Sequence, residues 1–479
     1  MIMFRSQTLR SLGIRFMPFS DAASDQLPLG QLLRLSLFQL SVGMATVLLL
    51  GTLNRVMIVE LSLPAMLVAI MIALPVLIAP FRALLGFRSD NYRSALGWKR
   101  IPYLWFGSLW QMGGLAVMPF ALLVLGDNPV KDVPFAGEVL AALAFLMTGL
   151  GIHMTQTAGL ALASDRATEE TRPRVVALLY VMFLAGMGIS ALLIGWLLRD
   201  FEPFRLVRVV QGAAIAGLVL NLFALWKQER LNPMSRQERV ATRPRFTDAW
   251  RDFVDGGKAA RLLATVFLGT MAFNMQDVLL EPYGGEVLGM SVSSTTLLTA
   301  IWAVGALAGF ALAAGRLANG TCHFRLAASG LLTGLAAFCC VILSAPFNSP
   351  SLFFAGAALI GLGGGLFAVA TLSATMALPE KKLSGHGLAL GAWGAAQATA
   401  IGLSIALGGI IRDGVTGLAE TGLFGEVMAS PVTGYAAVYH VEIALIFVTL
   451  AVLGPLVQQA ASHRRRPASR DIGLADFPT

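Results

Sequence analysis

Apolar residues gather into twelve long runs, separated by short polar connections. The runs cover 31–53, 62–81, 101–125, 136–162, 174–198, 207–226, 261–280, 294–317, 326–346, 351–376, 386–411 and 435–457. Each is near the length of about 20 residues that an α-helix needs to cross the roughly 30 Å hydrocarbon layer. The one long polar interruption, Lys227 to Ala260, holds Glu229, Arg230, Arg236, Arg239, Arg243 and Arg245. It divides the runs into six plus six. The pattern predicts an all-α integral membrane protein of twelve transmembrane helices. Its expected organisation is an N-terminal tail (1–30), a six-helix bundle (31–226), a cytoplasmic linker (227–260), a second six-helix bundle (261–457) and a C-terminal tail (458–479).

Composition agrees with this assignment and charge orients it. Apolar residues make up 56% of the chain and charged ones 13%, too little charge to clothe a water-soluble globule. Placing both termini in the cytoplasm puts 29 of the 35 lysines and arginines on the inner side, as positive-inside topology requires. The net charge of +8 is then a matter of topology, and nucleic acid is not an expected partner. At the N-terminus no apolar core leads to a signal-peptide cleavage site. Leu9, Leu12 and Phe16 share one helical face, so an interfacial helix and a disordered tail are both open. The cysteines offer no disulfide framework or metal-ligand spacing, and Cys339 and Cys340, inside an apolar run, are expected to be buried inert thiols. No nucleotide loop, nucleophile constellation or metal cluster points to an enzyme.

After the second run comes Gly86-x-x-x-Asp90, followed by Arg93, Lys99 and Arg100. A weaker copy, Gly315-x-x-x-Asn319, follows the eighth run, and Thr148-Gly-Leu-Gly151 in the fourth is answered by Ile360-Gly-Leu-Gly363 in the tenth. The chain therefore reads as doubled, which is the parallel-repeat arrangement of the major facilitator fold. The first motif resembles the cytoplasmic signature loop of those transporters, and the resemblance implies a conformational latch. Asp90 can accept bonds from helix N-terminal amides or pair with an arginine, while Arg93, Lys99 and Arg100 are expected at the headgroup level.

Ionisable groups inside spans are costly and default to functional hypotheses. His153 lies within the fourth run with Gln156 and Thr157 on its face, and His440 and Glu442 lie in the twelfth. Asp277 and Glu281 end the seventh, beside Gln276. Each histidine is either a hydrogen-bonded packing residue or a metal ligand. The two acids either couple protons or cap a loop. Tyr103, Trp105, Phe106 and Trp110 form an aromatic cluster that serves as an interfacial belt or as a stacking surface.

Particular strings go beyond the fold. They are Gly51-Thr-Leu-Asn-Arg-Val-Met-Ile-Val-Glu-Leu61, Ala79-Pro-Phe-Arg-Ala-Leu-Leu-Gly-Phe-Arg-Ser-Asp90, Thr155-Gln-Thr-Ala-Gly-Leu-Ala-Leu-Ala163 and Gln276-Asp-Val-Leu-Leu-Glu-Pro-Tyr-Gly-Gly-Glu-Val-Leu288. Together they resemble the PucC/LhaA family, the bacteriochlorophyll-delivery branch of the major facilitator superfamily, over about residues 30 to 457. The resemblance implies an assembly factor for a bacterial light-harvesting antenna in the inner or intracytoplasmic membrane of a phototroph. Its cargo would be bacteriochlorophyll a. Its partners would be the lipid bilayer and LH1 or LH2 antenna polypeptides, with the reaction-centre complex and bacteriochlorophyll synthase beyond them. The chain is more similar to the LhaA branch, linked to LH1, than to the PucC branch, linked to LH2. Expected pigment contacts are His153, Gln156, His440, Trp105 and Trp110. Gln276, Asp277, Glu281, Tyr283 and Glu286 are expected to form a gate or partner contact. The alternative is a proton-coupled secondary transporter of a small solute.

Overall fold

A computed structural model describes residues 20–24, 27–57, 61, 65–94, 96–125, 135–198, 202–229, 232–233, 244–290, 292–381, 383–421, 425 and 428–465. Among them twelve helices are long and apolar enough to cross a membrane. The first six spans are α1 (Leu29–Val47), α2 with α3 (Ala65–Ile78 and Arg82–Asn91), α4 (Ile101–Leu125), α5 (Ala136–Arg166), α6 (Arg172–Leu197) and α7 (Pro203–Leu225). After a short helix α8 (Phe246–Val254) come α9 with α10 (Lys258–Asn274 and Leu280–Glu286), α11 (Val292–Ala318), α12 (His323–Ser344), α13 (Pro350–Met376), α14 (His386–Glu420) and α15 (Pro431–Arg465).

The helices α1, α4, α5, α6 and α7 pack on one another, as do α9, α12, α13, α14 and α15. The two groups meet along α3 against α14 and along α6 against α11. These are the second span against the eleventh and the fifth against the eighth, so the two seams are equivalent under the doubling. At the α3–α14 seam the backbones touch: a Cβ added to Gly86 would collide with the Gly387 carbonyl, and one added to Gly391 with that of Arg82. Small residues permit such approach where lipid supplies no hydrophobic drive for association.

The helix of the second span runs on to Asn91, so Gly86 and Asp90 stand on its last turns and not in a loop. The polar linker contains α8, whose Phe246 packs edge-on against Phe87 at 5.6 Å. Ala249 and Phe253 pack with Ala83, Phe87 and Leu388, covering the α3–α14 seam. Cys339 is exposed and Cys340 half-buried; an apolar run does not distinguish a lipid-facing position from an interior one. Leu9, Leu12, Phe16, Arg236, Arg239, Arg243 and the tail beyond Arg465 lie outside the described residues.

Candidate functional site

At the end of the bundle that carries the Tyr92–Arg100 connection, charges close the seam. Asp90 Oδ1 accepts from the Arg100 guanidinium at 2.6 Å and from the Gly387 amide at 2.9 Å. Its Oδ2 accepts the Leu388 amide at 2.8 Å. These amides begin α14, where N–H groups lack helical partners and the helix dipole favours an anion. Arg100 is fully buried, pairs through Nε with Asp165 at 2.9 Å and donates to Ser89. Burial alone would lower its pKa, but the Asp165 and Asp90 carboxylates outweigh it and raise the value. Arg100 is therefore withdrawn into the protein rather than free at the surface: the two carboxylates draw it inside. Glu229 holds the amides of Lys99, Arg100 and Ile101 at 2.9–3.2 Å, fixing the start of α4. Arg93 is half-buried.

The second copy is placed differently. Gly315 and Asn319 are exposed, a Cβ on Gly315 would meet nothing within 4 Å, and the Asn319 amide bonds only back to Gly315. The polar contact between the halves is thus formed from the first copy. Close to it, Asp165, Glu380 and His386 bring ligand atoms within 4.8 Å of one another, a grouping that sequence spacing did not signal. The Asp165 carboxylate is already engaged by Arg100.

The seventh span is broken. The α9 helix stops at Asn274, a 3-10 turn covers Met275–Val278, and α10 resumes at Leu280. Glu442, fully buried on α15, accepts the Gln276 amide at 2.8 Å, so a carboxylate satisfies a donor freed by the break. Gln276 donates its side-chain amide to Asp277 at 2.6 Å. Glu442 Oε2 and the Tyr439 hydroxyl have no partner among the described residues. Broken helices with such groups at the interface of two repeats are where transporters place binding sites.

Beside the break lies a cavity of about 200 Å³ between the halves, with walls from α6, α9, α11, α13 and α14. Phe183, Phe273, Trp302, Phe310 and Phe367 make it aromatic, and Tyr180, Asn274, Asp277 and Gln397 add polar atoms. Tyr180 of the first half stacks on Phe310 of the second, ring centres 5.0 Å apart, at the α6–α11 seam. The Tyr180 hydroxyl faces Gln397 without closing a well-formed hydrogen bond.

Arg82, which sequence reading counted among the inner-loop cations, is 2% exposed. Its Nε donates to Thr157 at 3.1 Å and its Nη1 to the Gly394 carbonyl at 3.3 Å. Its Nη2 has no partner and, among the described residues, no carboxylate pairs with it. Gly394 leaves the room in which the guanidinium lies.

The candidate residues from sequence scatter. His153 is buried, with Nε2 2.9 Å from the Pro75 carbonyl, where the second span loosens towards a 3-10 turn at Ala79–Phe81. It does not line the cavity, and nor does half-buried Gln156. His440 is exposed, its Nδ1 2.6 Å from the Ala436 carbonyl. Trp105, Phe106 and Trp110 are exposed on α4, on the outer surface as a belt would be. Of the Gln276–Glu286 stretch, Asp277 lines the cavity. Tyr283 is buried and donates to Val341 at 3.2 Å. Glu281 accepts from Thr299. Glu286 pairs with Arg412 at 2.7 Å and accepts from Tyr435 at 2.9 Å. Sequence reading missed Arg82, Tyr180, Trp302 and Gln397; the intramembrane glutamine Gln397 was the one visible signal among them.

The chain is 61% identical over 471 residues, 98% of both chains, to a Rhodobacter capsulatus protein described as "uncharacterized protein in puhA-bchM intergenic region". It is 48% identical to "Protein PucC" of Cereibacter sphaeroides, covering 96% of this chain and 99% of that one. Among solved structures it resembles a bacterial homologue of the iron transporter ferroportin in an outward-facing state. The TM-score is 0.68, over 89% of this chain and 98% of that one, at 14% identity. That likeness concerns the fold alone, which is the expected major facilitator arrangement. The family model for PUCC protein matches residues 52–461, and the chain belongs to the PucC family.

Proposed function

We propose that the protein is an assembly factor for a bacterial light-harvesting antenna. It binds bacteriochlorophyll in the cavity between its halves and hands it to newly inserted antenna polypeptides, LH1 in preference to LH2. It works in the inner or intracytoplasmic membrane with its termini in the cytoplasm, as a carrier without catalytic chemistry. The observation that carries this reading is the aromatic cavity at the α6–α11 seam, in a chain of this family. A bacteriochlorin partitions into lipid, so its carrier needs an apolar chamber reached sideways and a few polar anchors. Ligand pockets usually measure about 300–1,000 Å³, so at about 200 Å³ the cavity must widen, by parting of the Tyr180–Phe310 stack, to admit a macrocycle. Deleting the gene and recording membrane absorption tests the reading: LH1 should fall with LH2 less affected, and unchanged antenna levels would refute it.

Glu442 and Asp277, two carboxyls at the helix break, favour a second reading, proton-coupled transport of a small solute. It requires pH-gradient-driven uptake in proteoliposomes that Asp277→Asn or Glu442→Gln abolishes.

A further inference from the structure

Outside the residues that line the cavity lies one buried group that the carrier reading leaves unused, the guanidinium of Arg82. A lone cation withdrawn from water carries a large desolvation penalty unless an anion or a full set of acceptors compensates it. Arg82 has only the Thr157 hydroxyl and the Gly394 carbonyl, both at more than 3 Å, and a free Nη2. Arginine cannot relieve the cost by losing its proton. It therefore stands ready for an anion.

Its position says where the anion would come from. Gly394, whose carbonyl it holds, lies one helical turn from Gln397, which lines the cavity. Tyr180, which also lines the cavity, lies within electrostatic range of Arg82. The guanidinium thus lies behind the wall that Tyr180 and Gln397 form. Its bond to Gly394 also joins the two halves, since Arg82 stands on α3 and Gly394 on α14. An anion that took over the guanidinium would replace that interhalf bond, coupling occupancy to opening.

We infer that the cargo is an apolar, planar molecule bearing a carboxylate, and that Arg82 is its binding residue, engaging it as a two-pronged charge-assisted pair. This rests on the pigment-carrying reading. For a bacteriochlorin, the carboxylate is the propionate that remains free until an isoprenoid alcohol esterifies it. The protein then loads the pigment as its free acid, and an ester-forming transferase acts before the finished pigment is handed to the antenna polypeptides.

The test titrates purified full-length protein in neutral detergent with bacteriochlorophyllide a and, separately, with its methyl ester, following absorption. The acid should bind about tenfold or more tightly than the ester, the worth of a hydrogen bond between charged partners. Arg82→Gln should abolish that preference while leaving ester affinity unchanged, and Arg82→Lys should retain part of it. Equal affinity for acid and ester in the unaltered protein overturns the inference, whatever the variants do, and leaves the pigment reading standing. Binding of neither overturns both. If phosphatidylglycerol at equal concentration displaces the acid, the site is one for a headgroup phosphate and the tetrapyrrole assignment fails.

Discussion

The Asp90 carboxylate receives the backbone amide of Leu388 at 2.8 Å across 298 residues of sequence. The same side chain holds buried Arg100 and the Gly387 amide, so a single carboxylate closes the seam between the halves at one end. Asp90→Ala removes one partner of a buried charge and uncovers two helix N-terminal amides. The expected loss is about 3 kcal/mol, seen as a lower unfolding midpoint in detergent, with faster proteolysis near α8. Asp90→Asn keeps one acceptor and should fall between the two.

Glu442 has a different task, capping the break in the seventh span through Gln276. Glu442→Gln keeps an acceptor oxygen and should change the thermal midpoint little. Glu442→Leu leaves the Gln276 amide buried and unpaired, at about 1–3 kcal/mol. Equal effects of the two substitutions would contradict a capping role.

His153 separates packing from pigment ligation. It lies outside the cavity lining and its Nε2 is bonded to the Pro75 carbonyl, so His153→Leu should lower stability by about 1–3 kcal/mol and leave pigment affinity unchanged. A lost pigment band without lost stability would restore it as a ligand.

The stack of Tyr180 on Phe310 joins α6 to α11 in the wall of the cavity. Phe310→Ala should remove about 0.5–1.5 kcal/mol of ring–ring attraction beyond the loss of buried area. It should also speed pigment entry and exit in stopped-flow absorption, whereas Trp302→Ala, which strips a wall of the cavity, should weaken binding itself.

Much of the architecture is legible in the sequence because a bilayer demands long apolar runs and closed backbone hydrogen bonding. The seam carboxylate Asp90 is legible too, through its glycine spacing. The cavity is not. Tyr180, Phe310 and Trp302 sit in runs where lipid-facing and inward-facing aromatics look alike, and only packing sorts them. Arg82 was hidden by its neighbours Arg88 and Arg93, which made it look like one more inner-loop cation. The α8 helix was hidden by the charge around it, though Phe246, Trp250 and Phe253 share one face.

The cavity between the halves is the proposed seat of a bacteriochlorophyll-type pigment. Absorption of the full-length protein, purified from its native membranes in mild detergent, tests it most directly. The expected result is a near-infrared bacteriochlorin band that co-elutes with the protein and is diminished by Trp302→Ala but not by His153→Leu. A folded, monodisperse protein with no such band would contradict it.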